Sequence, residues 1–95
     1  MKRPCVYMLA SRPNGTLYVG VTSNLPVRIA QHKSGVIAGF TSQYRVHSLV
    51  WFEQHECMES AIGREKQLKA GSRQRKLDMI TAMNPDWRDL YPEIL

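Results

Sequence analysis

The sequence predicts an α/β fold: a small three-stranded β-sheet with packed helices, in the order β-β-α-β-α-α. Three observations predict it. Two short stretches, Cys5 to Ser11 and Leu17 to Thr22, alternate around β-branched and aromatic residues, with Arg12-Pro13-Asn14-Gly15 as a turn between them. The run Val46 to Gln54 reads as a third and stronger strand. Beyond Met58, apolar residues recur at helical spacing between cap and stop signals.

Asn14-Gly15 supplies positions that tolerate positive φ, so the first two strands form a hairpin. A two-residue turn there pairs Pro13 with Thr16. Tyr7 then faces Thr22, Leu9 faces Gly20 and Ser11 faces Tyr18; a four-residue loop keeps the same parity. Tyr7, Tyr18 and Gly20 therefore share a face, two phenols beside a bare patch of backbone. A glycine inside a strand marks close approach by a ligand or another backbone. The competing reading is that tyrosines favour strands and leave their hydroxyls at the edge. Asn24 caps a first helix with Pro26 in its first turn, and this helix runs to about Lys33 before Gly35 ends it. A loop follows through Gln43. A second helix spans Met58 to Ala70 and stops at Gly71. Ser72 caps a third, Arg73 to Met83, which Asn84-Pro85 halts. The tail docks through Trp87 and Leu90.

Ninety-five residues make one domain over positions 1–95. No apolar run approaches the roughly 20 residues of a membrane span, and the N-terminus lacks the pattern of a signal peptide. Cys5 and Cys57 read as free thiols in a reducing cytoplasm, and no zinc-type ligand spacing occurs. The net charge is +5, and six of the thirteen basic residues fall in one segment: Arg64, Lys66, Lys69, Arg73, Arg75 and Lys76. Such a patch favours an anionic partner, nucleic acid first and an acidic protein surface second. A solvated helix face that keeps the protein soluble is an equal alternative.

Three further features carry chemistry. Glu65 falls in the apolar stripe of the second helix formed by Met58, Ala61, Ile62 and Leu68. A carboxylate there is costly unless paired or bound to a cation, so either an ion pair with Arg28 or a lysine, or a metal ligand, is expected. Arg28 and His32 stand four apart on the first helix, a pairing suited to gripping phosphate and moving a proton, unless that face points to solvent. The third helix opens with Arg73, Arg75 and Lys76 about its N-terminus, which makes an anion site or a patch of solvated charge.

As a set, these motifs resemble the GIY-YIG endonucleases. Cys5-Val6-Tyr7 stands where Gly-Ile-Tyr is named, and Tyr18-Val19-Gly20 matches Tyr-Ile-Gly. The resemblance continues through Arg28 and His32, Tyr44 as a third aromatic, Glu65 and Asn84, and it covers nearly the whole chain in order. It is similar to the short stand-alone bacterial members. The resemblance implies that Tyr7, Tyr18 and Tyr44 line the site, one phenol helping to deprotonate water. It implies that Arg28 holds the scissile phosphate, His32 assists proton transfer, Glu65 binds one divalent cation and Asn84 braces the site. A free phenol near pKa 10 is a poor base at neutral pH, so either a nearby cation and Arg28 lower it or a metal-bound water carries the reaction instead. Magnesium or manganese is the expected metal. Cys5 departs from the named glycine, and Gly63 inside the second helix costs about 1 kcal/mol relative to alanine. The implied function is a metal-dependent endonuclease acting on DNA. The rivals are a catalytically weak or inactive nucleic-acid-binding module on the same fold and a protein-interaction domain using the basic helices.

Overall fold

The computed structural model describes residues 3–36 and 39–95, with the side chain of Phe40 also outside the description. The elements are β1 (Cys5–Ala10), β2 (Leu17–Thr22), α1 (Leu25–Ser34), α2 (Phe40–Gln43), β3 (Ser48–Gln54), α3 (Met58–Ala70) and α4 (Arg73–Met83), then a short 3-10 turn at Tyr91–Glu93. The predicted order holds, with three refinements. The loop after α1 contains the single turn α2, while residues 37 and 38 within it lie outside the description. β3 starts at Ser48 because the Val46 N–H instead donates to the Thr41 carbonyl, 2.9 Å away. β1 ends at Ala10 because the chain turns one residue earlier than a two-residue loop would require.

That turn is decided by Pro13. Gly15 N–H donates to Arg12 O at 2.9 Å, and Asn14 takes φ of 57°. Proline fixes φ negative at the second position, so the positive φ at the third makes this a type II turn across Arg12–Gly15. Ser11 N–H donates to Thr16 O at 3.0 Å and closes a four-residue loop. Relative to the predicted register the pairing slides by two: Tyr7 faces Gly20, Leu9 faces Tyr18 and Cys5 faces Thr22. Pro13 has no N–H to give a ladder, which disfavours the shorter loop. The slide is even, so every side chain keeps its predicted face.

The sheet order is β2-β1-β3, all antiparallel, with β1 central and every one of its residues fully buried. β1 separates two cores. Val6, Met8 and Ala10 pack with Val19, Trp51, Ala61, Leu68, Ile80 and Trp87 beneath α3 and α4. Cys5, Tyr7 and Leu9 pack with Leu25 and Ile29 of α1, Leu49, and Leu90 and Ile94 of the tail. Trp87 and Leu90 dock as expected. α3 buries Ala61 and Leu68 but leaves Ile62 exposed at 38%, so its contact stripe is narrower than the apolar pattern suggested.

The tail also covers the free edge of β3. Leu90 N–H donates to Leu49 O (2.7 Å), and Asp89 Oδ1 accepts from Leu49 N–H (3.1 Å) while Oδ2 pairs with Lys33. Asn84 is buried at the C-cap of α4. Its Nδ2 donates to Val50 O (3.2 Å) and Arg88 O (2.8 Å), and its Oδ1 accepts from Arg88 N–H. All its polar atoms are thus committed to backbone. Asn84→Ala is expected to cost about 1–3 kcal/mol, since it strands a buried carbonyl. Urea denaturation checks this, and activity per folded molecule should stay near wild type.

Candidate active site

Tyr7 and Gly20 face each other across the hairpin, and the tyrosine ring lies over the glycine. A Cβ on Gly20 would stand within 3.0 Å of the Cζ and Oη atoms of Tyr7. The close approach expected at this glycine is therefore made by the neighbouring phenol, neither by ligand nor by backbone. The ring cannot swing away, because Tyr7 is fully buried and its hydroxyl lies 2.9 Å from His32 Nε2. His32 Nδ1 in turn lies 3.1 Å from Thr41 Oγ1 on α2. Tyr18, in the same parity as Tyr7, completes a cluster of three rings: its centroid is 6.3 Å from that of Tyr7 and 5.5 Å from that of His32.

α1 delivers the basic groups. Asn24 Oδ1 accepts from Val27 N–H at its start, Pro26 sits in its first turn, and Gly35 (φ 77°) ends it in the left-handed conformation. Leu25, Ile29 and His32 follow at helical spacing and turn inward, which brings His32 under the sheet and leaves Arg28 half-buried beside it.

Burial dominates the electrostatics of this cluster. It pushes the Tyr7 phenol up to about 12; Arg28 opposes that rise, while Tyr18 and Glu65 reinforce it. Burial, with help from the positive charge of Arg28 and from His47, pushes His32 down to about 4. At neutral pH the pair is an un-ionised phenol and a neutral imidazole. Arg28 has donors only, so the phenol hydrogen goes to His32 Nε2, and His32 Nδ1–H donates to Thr41. This tautomer is assigned from the network. It makes Tyr7 a fixed hydrogen-bond donor and an unsuitable general base, and it leaves half-buried Tyr18 as the more accessible phenol.

Glu65 reaches the same place from α3. Its charge acts on Tyr7, as do those of Tyr18 and Arg28, so the carboxylate stands near the tyrosine cluster. Its side chain is only 16% exposed, and among the described residues its ion pair is to Lys69 at 3.5 Å, one turn along the helix. An i,i+4 pair with an exposed lysine is worth a few tenths of a kcal/mol and does not offset much desolvation. Glu65 therefore suits a cation. Among the described residues no three His, Cys, Asp or Glu side chains could share a metal ion. A hard cation that keeps waters and substrate oxygens around one carboxylate fits this donor set.

Other expected site residues lie elsewhere or take different parts. Tyr44 is half exposed just beyond α2, the helix that carries Thr41. Asn84 makes its side-chain bonds to the backbone of β3 and the tail, at Val50 and Arg88. The six cations of the basic segment also divide. Arg64 is bound to Glu53 and Gln67, Arg73 donates to the turn carbonyls of Asn14 and Gly15, and Lys76 donates to Gly71 O. Lys69 pairs with Glu65, while Lys66 and Arg75 stand exposed. Arg73 and Lys76 border a cavity of about 330 Å³ with Thr16, Leu17 and Val19, on the face of β2 opposite Tyr18. Sequence reasoning passed over Thr41 and His47. Thr41 lies on α2 and His47 just before β3, and neither position stands out by local sequence pattern.

The burial of His32 has a measurable consequence. Folding holds its pKa near 4 against 6.5 in the unfolded chain, so between those values only the unfolded chain takes the proton. Stability due to His32 is intact above about pH 6.5 and is lost progressively as pH falls towards 4, by an amount on the order of 3 kcal/mol. The His32 imidazole resonances should hold their neutral positions down to about pH 4 in an NMR titration. Titration near 6.5 would contradict the enclosed Tyr7–His32–Thr41 chain.

Comparison with known proteins identifies the family. The family profile of the GIY-YIG catalytic domain matches residues 3–78. UPF0213 protein SH2523 of Staphylococcus haemolyticus is 39% identical over 80 residues, 84% of this chain and 96% of that protein. UPF0213 protein SSP2268 of Staphylococcus saprophyticus is 32% identical over 81 residues, 85% of this chain and 98% of that protein. The solution NMR structure of UPF0213 protein BH0048 from Bacillus halodurans superimposes with a TM-score of 0.52 at 29% identity, over 84% of each chain. Among the described residues no helix is long and apolar enough to cross a membrane. The matched span contains the tyrosine hairpin, Arg28, His32 and Glu65 together, and the chain belongs to the GIY-YIG family, whose general activity is that of a nuclease.

Proposed function

We propose that this protein is a divalent-metal-dependent endonuclease that hydrolyses phosphodiester bonds in DNA. The observation that carries the reading is the meeting of Arg28, Tyr18 and a poorly paired Glu65 around Tyr7, brought there by three separate elements. Arg28 binds non-bridging oxygens of the scissile phosphate through its fork of donors. Tyr18 Oη orients the attacking water and relays its proton to bulk solvent as the water oxygen bonds to phosphorus; the opposite P–O bond breaks and its oxygen leaves, taking up a proton from solvent. His32 and Tyr7 exchange no proton with substrate. They fix each other and thereby hold the cleft wall that Arg28 and Tyr18 share. Glu65 would hold magnesium or manganese, which when bound supplies Lewis-acid stabilisation of the charge developing on the phosphate.

A binding module without turnover is the second reading. It is favoured by one observation: Tyr7, His32 and Thr41 satisfy one another and would persist as scaffold without any chemistry. Glu65→Gln separates the two. On the nuclease reading cleavage is abolished, DNA affinity is kept, and the thermal midpoint in chelator is unchanged or slightly raised, since an enclosed carboxylate without its cation is poorly solvated. Cleavage and binding assays with labelled DNA, with magnesium and with chelator, provide the check. A mutant that cuts at the wild-type rate removes Glu65 from the mechanism.

The exposed cations carry the electrostatic part of binding. Lys66→Glu with Arg75→Glu should weaken DNA binding, and it should flatten the dependence of log affinity on log salt by roughly 2 if each contacts one phosphate. Arg73 is a poor choice for this test because it ties α4 to the hairpin turn. An unchanged salt slope measured by fluorescence anisotropy would assign Lys66 and Arg75 to solvated surface.

A further inference from the structure

Two buried side-chain polar atoms have no hydrogen-bond partner among the described residues: Arg28 Nε and His47 Nδ1. Buried polar atoms in folded proteins are nearly always paired, so two orphans call for an explanation. Both belong to groups around one point. Arg28 lies one helical turn before His32 on α1. His47 follows Val46, whose N–H is bound to Thr41 O, and Thr41 Oγ1 is bound to His32. His47 immediately precedes β3, between Val46 and Leu49, which both pack in the core of Tyr7 and Leu9. Both groups act on His32, consistent with this placement.

Arg28 Nε–H can only donate. His47 Nδ1 is likewise a donor in the tautomer that carries its hydrogen there. The missing partner is then an acceptor with more than one oxygen, able to take a hydrogen from each. We propose that Arg28 Nε and His47 Nδ1 are two sides of one oxyanion site, and that His47 is a ligand of the phosphodiester held by Arg28. This rests on the nuclease reading for the identity of its ligand, while the site itself requires only a tetrahedral oxyanion. His47 gives no proton away in this role. It fixes the second non-bridging oxygen, and so the direction in which the phosphate presents its leaving group.

The test uses the full chain in chelator with inorganic phosphate as the probe, followed by NMR of labelled histidine and arginine side chains. Phosphate should shift the His47 Nδ1 and Arg28 Nε resonances together, along one saturation curve. His47→Asn places an amide N–H near the Nδ1 position and should retain most of the affinity. His47→Leu should weaken phosphate binding roughly tenfold, the worth of a hydrogen bond to a charged group. Amide spectra of the same samples establish that each variant is folded. Phosphate that moves Arg28 Nε but leaves His47 Nδ1 unmoved would overturn the proposal, as would a folded His47→Leu that binds phosphate like wild type. The outcomes separate from those of the nuclease reading. A protein that cuts DNA with a silent His47 refutes this inference alone, whereas one that holds phosphate through both residues but never cuts refutes only the nuclease reading.

Discussion

The ring of Tyr7 lies flat against the backbone of Gly20 and is pinned at its far end by His32. This contact joins the hairpin to α1, and through Thr41 it joins both to the segment leading into β3. A side chain at position 20 would push the phenol off its imidazole, and the imidazole would lose the bond that orients it. Arg28 sits one turn away on the same helix, so its position beside the cluster is inherited from His32. Glu65 comes from α3, which packs on the other face of the sheet, and its charge still acts on Tyr7. The site is thus assembled around an inert pair, while the groups with chemistry left to do are arranged about its rim.

The central strand makes this arrangement possible by carrying two different cores. Its Val6, Met8 and Ala10 face is apolar throughout, and it supplies the packing that fixes the sheet to α3 and α4. Its Cys5, Tyr7 and Leu9 face includes a phenol, with an imidazole and a threonine hydroxyl behind it. Buried polar groups are tolerable when they are hydrogen-bonded, and each of these three has a partner in the chain. Desolvation also removes both partners from titration near neutral pH, so the wall of the cleft keeps one hydrogen-bonding pattern. The polar atoms that burial does leave unmatched lie around that chain, where an anion would be received.

The basic segment shows how charge and structure can be served by the same side chains. Arg73 and Lys76 donate to backbone carbonyls, which satisfies their geometry without cancelling their charge. Both therefore still contribute to a positive field beside the hairpin, although neither is free to follow a ligand. Arg64 and Lys69 are partly neutralised by Glu53 and Glu65. Counting cations along the sequence overstates the mobile charge while giving the sign of the field correctly.

Much of the architecture followed from local rules that the sequence states openly. Alternation in Cys5–Ala10 and Leu17–Thr22, the Asn24 and Ser72 caps and the stop at Gly71 each act over a few residues, and the elements they predict are present. The shared face of Tyr7, Tyr18 and Gly20 was also determined, because parity survives an even slip in register. The register itself was not, since Pro13 could be placed in the loop or in the ladder, and only the closed hairpin shows which hydrogen bonds result. Ile62 looked like core because helical spacing says which residues align but not how wide a surface they meet. What Asn84 bonds to, the backbone at Val50 and Arg88, has no local signal, and Arg73 looked like free charge until the turn it staples was in place. His47 and Thr41 carry no local signal of their own. What turns them towards His32 is the return of β3 along β1, a contact between segments far apart in the chain, and such contacts exist only once the sheet has formed.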